Sequence, residues 1–283
     1  MLQITRQLCE KYNIRPVRSK GQNFLINPVV YDKIVEIANL SKKDNVLEVG
    51  PGLGFLTERL AQKAKQVLAV ELDDKLAIVL QERLAEQHSK NITVLNADVL
   101  DFPNLDFPKG FLSNYHVVAN LPYNITSVFL RKLLSAKHQP KTMTLLVQKE
   151  VAERITAQPG QMSLLALSVQ FYAKAKVEHN VLAEDFWPQP KVNSSVLHLE
   201  INNEYVDKLG SEAEQVLFFR IIKFGFSAKR KMLKNNLSSG LKVKQEKIIE
   251  ILEKNNFDAK IRAQNLSVQD WIKLFGILRD FVV

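Results

Sequence analysis

The sequence predicts an α/β sheet domain followed by a small all-helical domain, and three observations carry that reading. Residues 45–65 run from a short apolar stretch into glycines on alternate positions and then into helix formers, the order strand, tight turn, helix. Further apolar runs alternate with amphipathic stretches as far as Ile201. Beyond Asn202-Asn203-Glu204, a polar linker, the periodicity is helical throughout. The expected division is therefore 1–202 and 203–283.

Composition bounds the rest. The 283 residues are 46% hydrophobic and 24% charged, ordinary values for a globular protein. Thirty-nine basic residues against 30 acidic ones give a net charge of +9, which points to nucleic acid or another polyanion as partner. Cys9 is the only cysteine, so no intrachain disulfide can form, and a reducing cytoplasm is expected. No apolar run reaches membrane-spanning length, and the first residues lack the apolar core of a signal peptide. The five histidines are scattered and the cysteine has no partner, so neither a metal site nor a Cys–His nucleophile is indicated.

In chain order, the first two dozen residues carry Arg6, Lys11, Arg15, Arg18 and Lys20 against Glu10, and end in Gly21-Gln22-Asn23-Phe24-Leu25. Alone, this reads most simply as a solvated arm pinned by Phe24 and Leu25; the other reading is a flap over a ligand. Pro28 to Leu40 is a helix with proline in its first turn. Asn45 to Gly54 is the central strand and glycine turn, which lets backbone approach a ligand closely beside a helix N-terminus. Gly50 and Gly52 are candidate cofactor contacts. The turn is not the G-x-G-x-x-G of a dinucleotide fold, because Phe55 takes the last glycine's place.

Gln66 to Glu71 is a second, doubly buried strand. Glu71 follows Gly50 by 21 residues, near the spacing at which an acid reaches ribose hydroxyls. A nucleoside cofactor without a pyrophosphate, such as S-adenosylmethionine (SAM), fits that pair of signals. Asp73 to Gln87 is an amphipathic helix, Ile92 to Leu95 a third strand, His116 to Ala119 a fourth and Met143 to Val147 a fifth. Helices follow from Lys149 and Met162, and Ala175–Val181 with Ser195–Ile201 reads as a closing antiparallel pair. Gly50, Glu71, Asp98 and Asn120 all fall at carboxyl ends of strands, where ligands of such sheets bind. Asp98 is either an acceptor for an adenine amine or a turn cap.

Asn120-Leu121-Pro122-Tyr123 is the most specific signal. Methylating an exocyclic amine requires its lone pair to be turned toward the methyl donor. An amide oxygen and a backbone carbonyl freed by a turn can accept both N–H groups and hold that geometry. Proline fixes the turn, and the tyrosine can stack on a flat base. Phe186, in the proline-stiffened loop to Val192, is either a second stacking face or a core residue.

In the C-terminal part, Ser211 with Glu214 has capping-box spacing, and Leu217 to Phe224 and Trp271 to Leu278 mark buried helix faces. Between Glu214 and Glu246 there are eight basic residues and no acid. Arg220, Lys223, Lys229, Arg230, Lys231 and Lys234 are the candidate RNA contacts among them.

Together these residues resemble the ribosomal RNA adenine N6,N6-dimethyltransferase family over nearly the whole chain. The likeness runs through 21–25, 47–54, Glu71, Asp98, 120–123, 148–154, 186–194, 226–237 and 262–267. It implies a SAM-dependent methyltransferase sheet of Rossmann-like form. SAM contacts would fall on Asn23, Leu25, Gly50, Glu71, Asp98 and Asn120, so the N-terminal stretch becomes a flap. It further implies dimethylation of two adjacent adenines near the 3′ end of small-subunit (16S) rRNA, by a monomeric cytoplasmic enzyme without a metal. Two rivals share the architecture: a large-subunit rRNA methyltransferase and a non-catalytic RNA- or DNA-binding factor. The sequence departs from the family pattern in a shortened loop after Pro159-Gly160, in Gln264 for an acid, and in Asn193 for an aspartate. The short loop puts in doubt any RNA contact made there.

Overall fold

The computed structural model describes residues 1–17, 21–86 and 90–282, so Arg18, Lys20 and Gln87 lie outside the described residues. In chain order the first elements are helix α1 (Leu2–Lys11), strand β1 (Phe24–Leu25), α2 (Pro28–Ala38), β2 (Asn45–Val49), α3 (Phe55–Lys63), β3 (Gln66–Glu71) and α4 (Asp74–Glu86). They continue with β4 (Ile92–Asn96), β5 (Tyr115–Asn120), α5 (Thr126–Leu134), β6 (Thr142–Gln148), α6 (Lys149–Ile155), α7 (Leu164–Gln170), β7 (Ala173–Val181), β8 (Phe186–Trp187) and β9 (Ser194–Ile201). Five more helices follow: α8 (Glu204–Leu209), α9 (Glu212–Gly225), α10 (Leu233–Leu241), α11 (Gln245–Lys254) and α12 (Val268–Leu278).

The central sheet has the order β4-β3-β2-β5-β6-β9-β7. The pairs from β4 to β6 are parallel, and β9 runs antiparallel to β6. All five residues of β2 are buried, as a strand covered on both faces requires. Helix starts follow local chemistry. The Asn27 side chain accepts from Val29 N ahead of Pro28, and Ser163 caps α7 through Ala166 N. Ser267 and Asp270 form a reciprocal capping box.

The chain forms two compact units. One is Met1–Ala152 with Ala175–Ile201; the other is Glu153–Lys174 with Asn202–Val283. The second therefore begins earlier in sequence than a single break at 202. The reason is aromatic packing: Phe171 lies 5.0 Å from Phe218 and 5.2 Å from Phe219 by ring centroids, and Phe218 meets Phe275 edge-on.

Two of the sequence departures meet within this unit. Gly160 N donates to Gln264 O at 2.8 Å, and Gln264 Nε2 returns a bond to Gly160 O at 2.9 Å. A carboxylate at 264 cannot donate that second bond, so the short loop and the glutamine belong together.

In the first unit, the N-terminal stretch is not the solvated arm that its charge suggests. Residues 2–11 form α1, which buries Thr5 and Cys9, and Ile14 joins the same core. Arg6 stacks over the Trp187 ring. Strands β1 and β8 pair antiparallel, Phe24 with Trp187 and Leu25 with Phe186.

Candidate active site

The glycine turn, the end of β3, the end of β5 and the β1 segment enclose a cavity of about 260 Å³. Gly50, Gly52 and Gly54 all have positive φ. A side chain at Gly54 would meet Leu80 Cδ1 at 2.4 Å, and one at Gly52 would meet the Phe24 ring at 3.3 Å. The turn must therefore be bare backbone where β1 lies over it.

Glu71 is the hub of this turn. Its Oε2 accepts from Gly52 N at 3.0 Å and its Oε1 from Asp73 N at 3.0 Å. Burial pushes its carboxyl above the usual range, while the two amides oppose the shift. A carboxylate has about four acceptor sites, so both oxygens keep capacity toward the cavity.

Asp98 takes the turn-cap role and stands where the acceptor role would also need it. Its Oδ1 caps the short turn Val99–Asp101 through Leu100 N at 2.8 Å, and the residue also lines the cavity. The seven residues expected to hold cofactor (Asn23, Leu25, Gly50, Gly52, Glu71, Asp98 and Asn120) all line this one space.

At the end of β5, Asn120 Nδ2 faces Asn23 O at 3.5 Å. Pro122 O is already used by Ile125 N and Thr126 Oγ1. Among the described residues no hydrogen bond uses Leu121 O, which leaves that carbonyl as the acceptor freed by the turn. Leu121's side chain is buried and Pro122 lines the cavity. Tyr123 is half-buried, and its hydroxyl pairs with Ser194 Oγ at 2.9 Å. Burial raises its pKa, so the phenol stays protonated at neutral pH.

Phe186 is a correction. The ring is 3% exposed within the main core and does not line the cavity, because pairing with Leu25 turns it inward. The core reading holds for it.

Sequence reasoning missed Glu48. It lies in β2, is 1% exposed, reaches the cavity wall, and neither carboxyl oxygen has a hydrogen-bond partner among the described residues. Burial pushes its pKa up to about 8; Thr57 opposes the shift, and the charges of Glu71 and Glu58 add to it. An acid inside an apolar run gives no sign of its surroundings. Gln22 was also missed. It bridges Val17 N and Asp73 Oδ2, tying β1's approach to the end of β3.

The cavity wall carries Glu71, Asp73 and Asp98 beside a Glu48 that burial keeps protonated at neutral pH, and among its lining residues there is no Lys, Arg or His. In a chain of net charge +9 this wall disfavours a pyrophosphate and suits a cationic nucleoside such as SAM. A bare glycine cradle, the buried Glu71 at the end of β3 and the buried Glu48 carboxyl all fit that group.

The basic candidates lie in the second unit. Arg220, Lys223, Lys229, Arg230 and Lys231 are exposed and Lys234 is half-buried. The loop carrying 229–231 is pinned by buried Asn236, whose Nδ2 donates to Gly225 O at 2.6 Å and Ala228 O at 3.1 Å. Gly225 lets Trp271 close on α9, where a Cβ would come within 2.3 Å of the indole.

Comparison with known proteins agrees with this geometry. Residues 15–279 match the ribosomal RNA adenine dimethylase family. The chain is 39% identical over 266 residues to the ribosomal RNA small subunit methyltransferase A of Dehalococcoides mccartyi, covering 94% of this chain and 89% of that one. Among solved structures, a dimethyladenosine transferase from Plasmodium falciparum superposes with a TM-score of 0.78 at 27% identity, over 91% of this chain and 98% of that one. The 23S rRNA methyltransferase ErmE gives 0.71 at 28% identity, over 90% and 98%. Matched over residues 15–279 and 39% identical to a named relative over 94% of its length, this chain belongs to the ribosomal RNA adenine dimethylase family.

Proposed function

We propose that the protein transfers methyl groups from SAM to N6 of two adjacent adenines near the 3′ end of small-subunit rRNA. The observation that carries the reading is convergence: seven expected cofactor positions, Asn120 among them, share one acid-walled cavity, and the Leu121 carbonyl next in the chain is used by no hydrogen bond among the described residues. Glu71 would take the ribose hydroxyls and Asp98 the adenine amine, while Asn23, Leu25 and the backbone of Gly50 and Gly52 close around the remainder. SAM, when bound, supplies an electrophilic methyl group.

The protein's own part is orientation. The target adenine leaves its stack to enter the site. Tyr123 holds the flat base, a stack worth about 1–3 kcal/mol. Asn120 Oδ1 and Leu121 O accept the two N6 hydrogens and aim the lone pair into the cavity. No general base is required. Tyr123 stays protonated, no histidine lines the cavity, and the methylated amine gives its proton to water.

The large-subunit reading is less well supported. Residues 226–237 and 262–267 follow the small-subunit pattern, and the small-subunit relative matches at higher identity than ErmE. The helical unit, through Arg220, Lys223, Lys229, Arg230, Lys231 and Lys234, would grip rRNA phosphates. The protein would act as a cytoplasmic monomer; no helix among the described residues is long and apolar enough to cross a membrane. Transfer of label from SAM to small ribosomal subunits lacking these methyl groups tests the proposal.

A further inference from the structure

The cofactor cavity lies at the carboxyl ends of the parallel strands, and the opposite edge of the sheet has a character of its own. The chain carries a lysine just before four of the parallel strands, Lys43 before β2, Lys65 before β3, Lys90 before β4 and Lys141 before β6, and a fifth, Lys109, ahead of the short 3-10 turn Phe111–Ser113 that leads to β5. All five are exposed. Backbone bonds hold these approaches side by side. Lys65 N donates to Asp44 O at 2.9 Å, Val67 N to Asn91 O at 2.8 Å, and Lys141 N to Tyr115 O at 2.8 Å.

The edge keeps little negative charge to offset them. Asp44 is held by Ser41 N and Oγ, by Asn114 and by His116. The exposed acids nearby are Glu200, opposite Thr142 on β9, and Asp106, three residues before Lys109. None of the five lysines forms an ion pair among the described residues.

Helix dipoles explain other lysines here but not these. Lys42 Nζ binds the carbonyls of Ala61 and Ala64, and Lys63 ends α3. Lys43, Lys65, Lys90 and Lys141 precede strands, Lys109 precedes the 3-10 turn before β5, and none of the five caps a helix. A charge run is most often a solvated face; what distinguishes this one is its regularity. Across five strands spaced ~4.8 Å apart, the four lysines that adjoin β4, β3, β2 and β6 span a row of roughly 19 Å, a length that meets several phosphates of one polynucleotide strand.

We propose that this edge is a second rRNA-binding surface, gripping phosphates of a segment remote from the modified adenines. A strand of five residues is about 17 Å long, so the surface stands well away from the reacting base. The inference rests on the rRNA reading above and adds a contact site on the methyltransferase unit itself.

The test uses the full chain with Lys43, Lys65, Lys90 and Lys141 all changed to Gln, and a matching Lys→Arg variant. Lys42 is left in place because it caps α3. Binding to small ribosomal subunits is measured across a salt series, with SAM affinity by calorimetry. The Gln variant should bind at least tenfold more weakly, with the slope of log K against log salt flatter by about 0.7–0.9 per lost contact. SAM affinity should be unchanged, and the Arg variant should bind as wild type. Wild-type affinity and slope in the Gln variant would overturn the inference, as would equal loss in the Arg variant. If the wild-type protein neither binds nor methylates small subunits, the functional reading itself fails; normal wild-type methylation with an indifferent Gln variant removes this surface alone.

Discussion

Glu71 Oε2 accepts the Gly52 amide at 3.0 Å, so the acid at the end of β3 and the glycine turn after β2 are one unit. The residue proposed to take the cofactor's ribose hydroxyls also sets the shape of the glycine turn. Glu71→Ala should therefore do more than delete a ligand. Hydrogen bonds to a charged group are worth about 1.5–3 kcal/mol each, so SAM affinity should fall roughly tenfold or more. Melting temperature should also fall, by about 2–4 °C for each kcal/mol lost. Calorimetry showing unchanged SAM affinity would remove Glu71 from the site.

Asn120→Ala should separate binding from chemistry. The side chain lies at the end of the cavity and its amide meets Asn23 O only at 3.5 Å, so it contributes little to closing the flap. Loss of amine orientation should cost on the order of 100-fold in single-turnover rate, with SAM affinity changed by only a few-fold. An active Asn120→Ala enzyme would refute the orientation mechanism.

Glu48 gives a pH prediction with a definite sign. Its carboxyl titrates near 8 in the folded protein against an ordinary 4.5, so the folded state holds a proton that the unfolded state has lost. The stability this contributes is complete below about pH 4.5 and is lost as pH rises through about 8. Between those values wild-type stability carries a falling term of at most about 1.4 kcal/mol per pH unit. Glu48→Gln removes it, so melts at pH 5.5 and 8 should show the variant gaining on wild type as pH rises. A difference independent of pH would mean that Glu48 is ionised in the fold.

Asn236 ties the start of the basic loop of the helical unit to α9 through Gly225 O and Ala228 O. Replacing Arg230, Lys231 and Lys234 with Glu should weaken small-subunit binding and flatten its salt dependence by about 0.7–0.9 per contact. SAM affinity and melting temperature should hold. Wild-type salt slope in the triple variant would assign those charges to solvation.

The sheet was legible because its strands are buried on both faces, which leaves continuous apolar runs such as Val67–Val70. The proposed cofactor positions Gly50, Glu71, Asp98 and Asn120 were legible because they fall at strand ends, where chain order and spatial order agree, whereas Asn23 and Leu25 came from the family resemblance. What escaped reading depends on distant partners. β1 and β8 are two residues each and pair across some 160 positions, so Phe186's inward ring has no local signal. α1 buries only Thr5 and Cys9, too little apolar surface to outweigh its charges. The membership of 153–174 in the helical unit rests on Phe171 meeting Phe218, which periodicity does not encode.

The central claim is the reaction and its target, and label transfer with position mapping tests it most directly. Small ribosomal subunits lacking the modification are incubated with methyl-labelled SAM and the protein, and the modified positions are mapped on the rRNA. The account predicts dimethyl-adenine at two adjacent positions near the 3′ end of the small-subunit rRNA, and none with Asn120→Ala. Label confined to large-subunit rRNA, or absent from rRNA altogether, would contradict it.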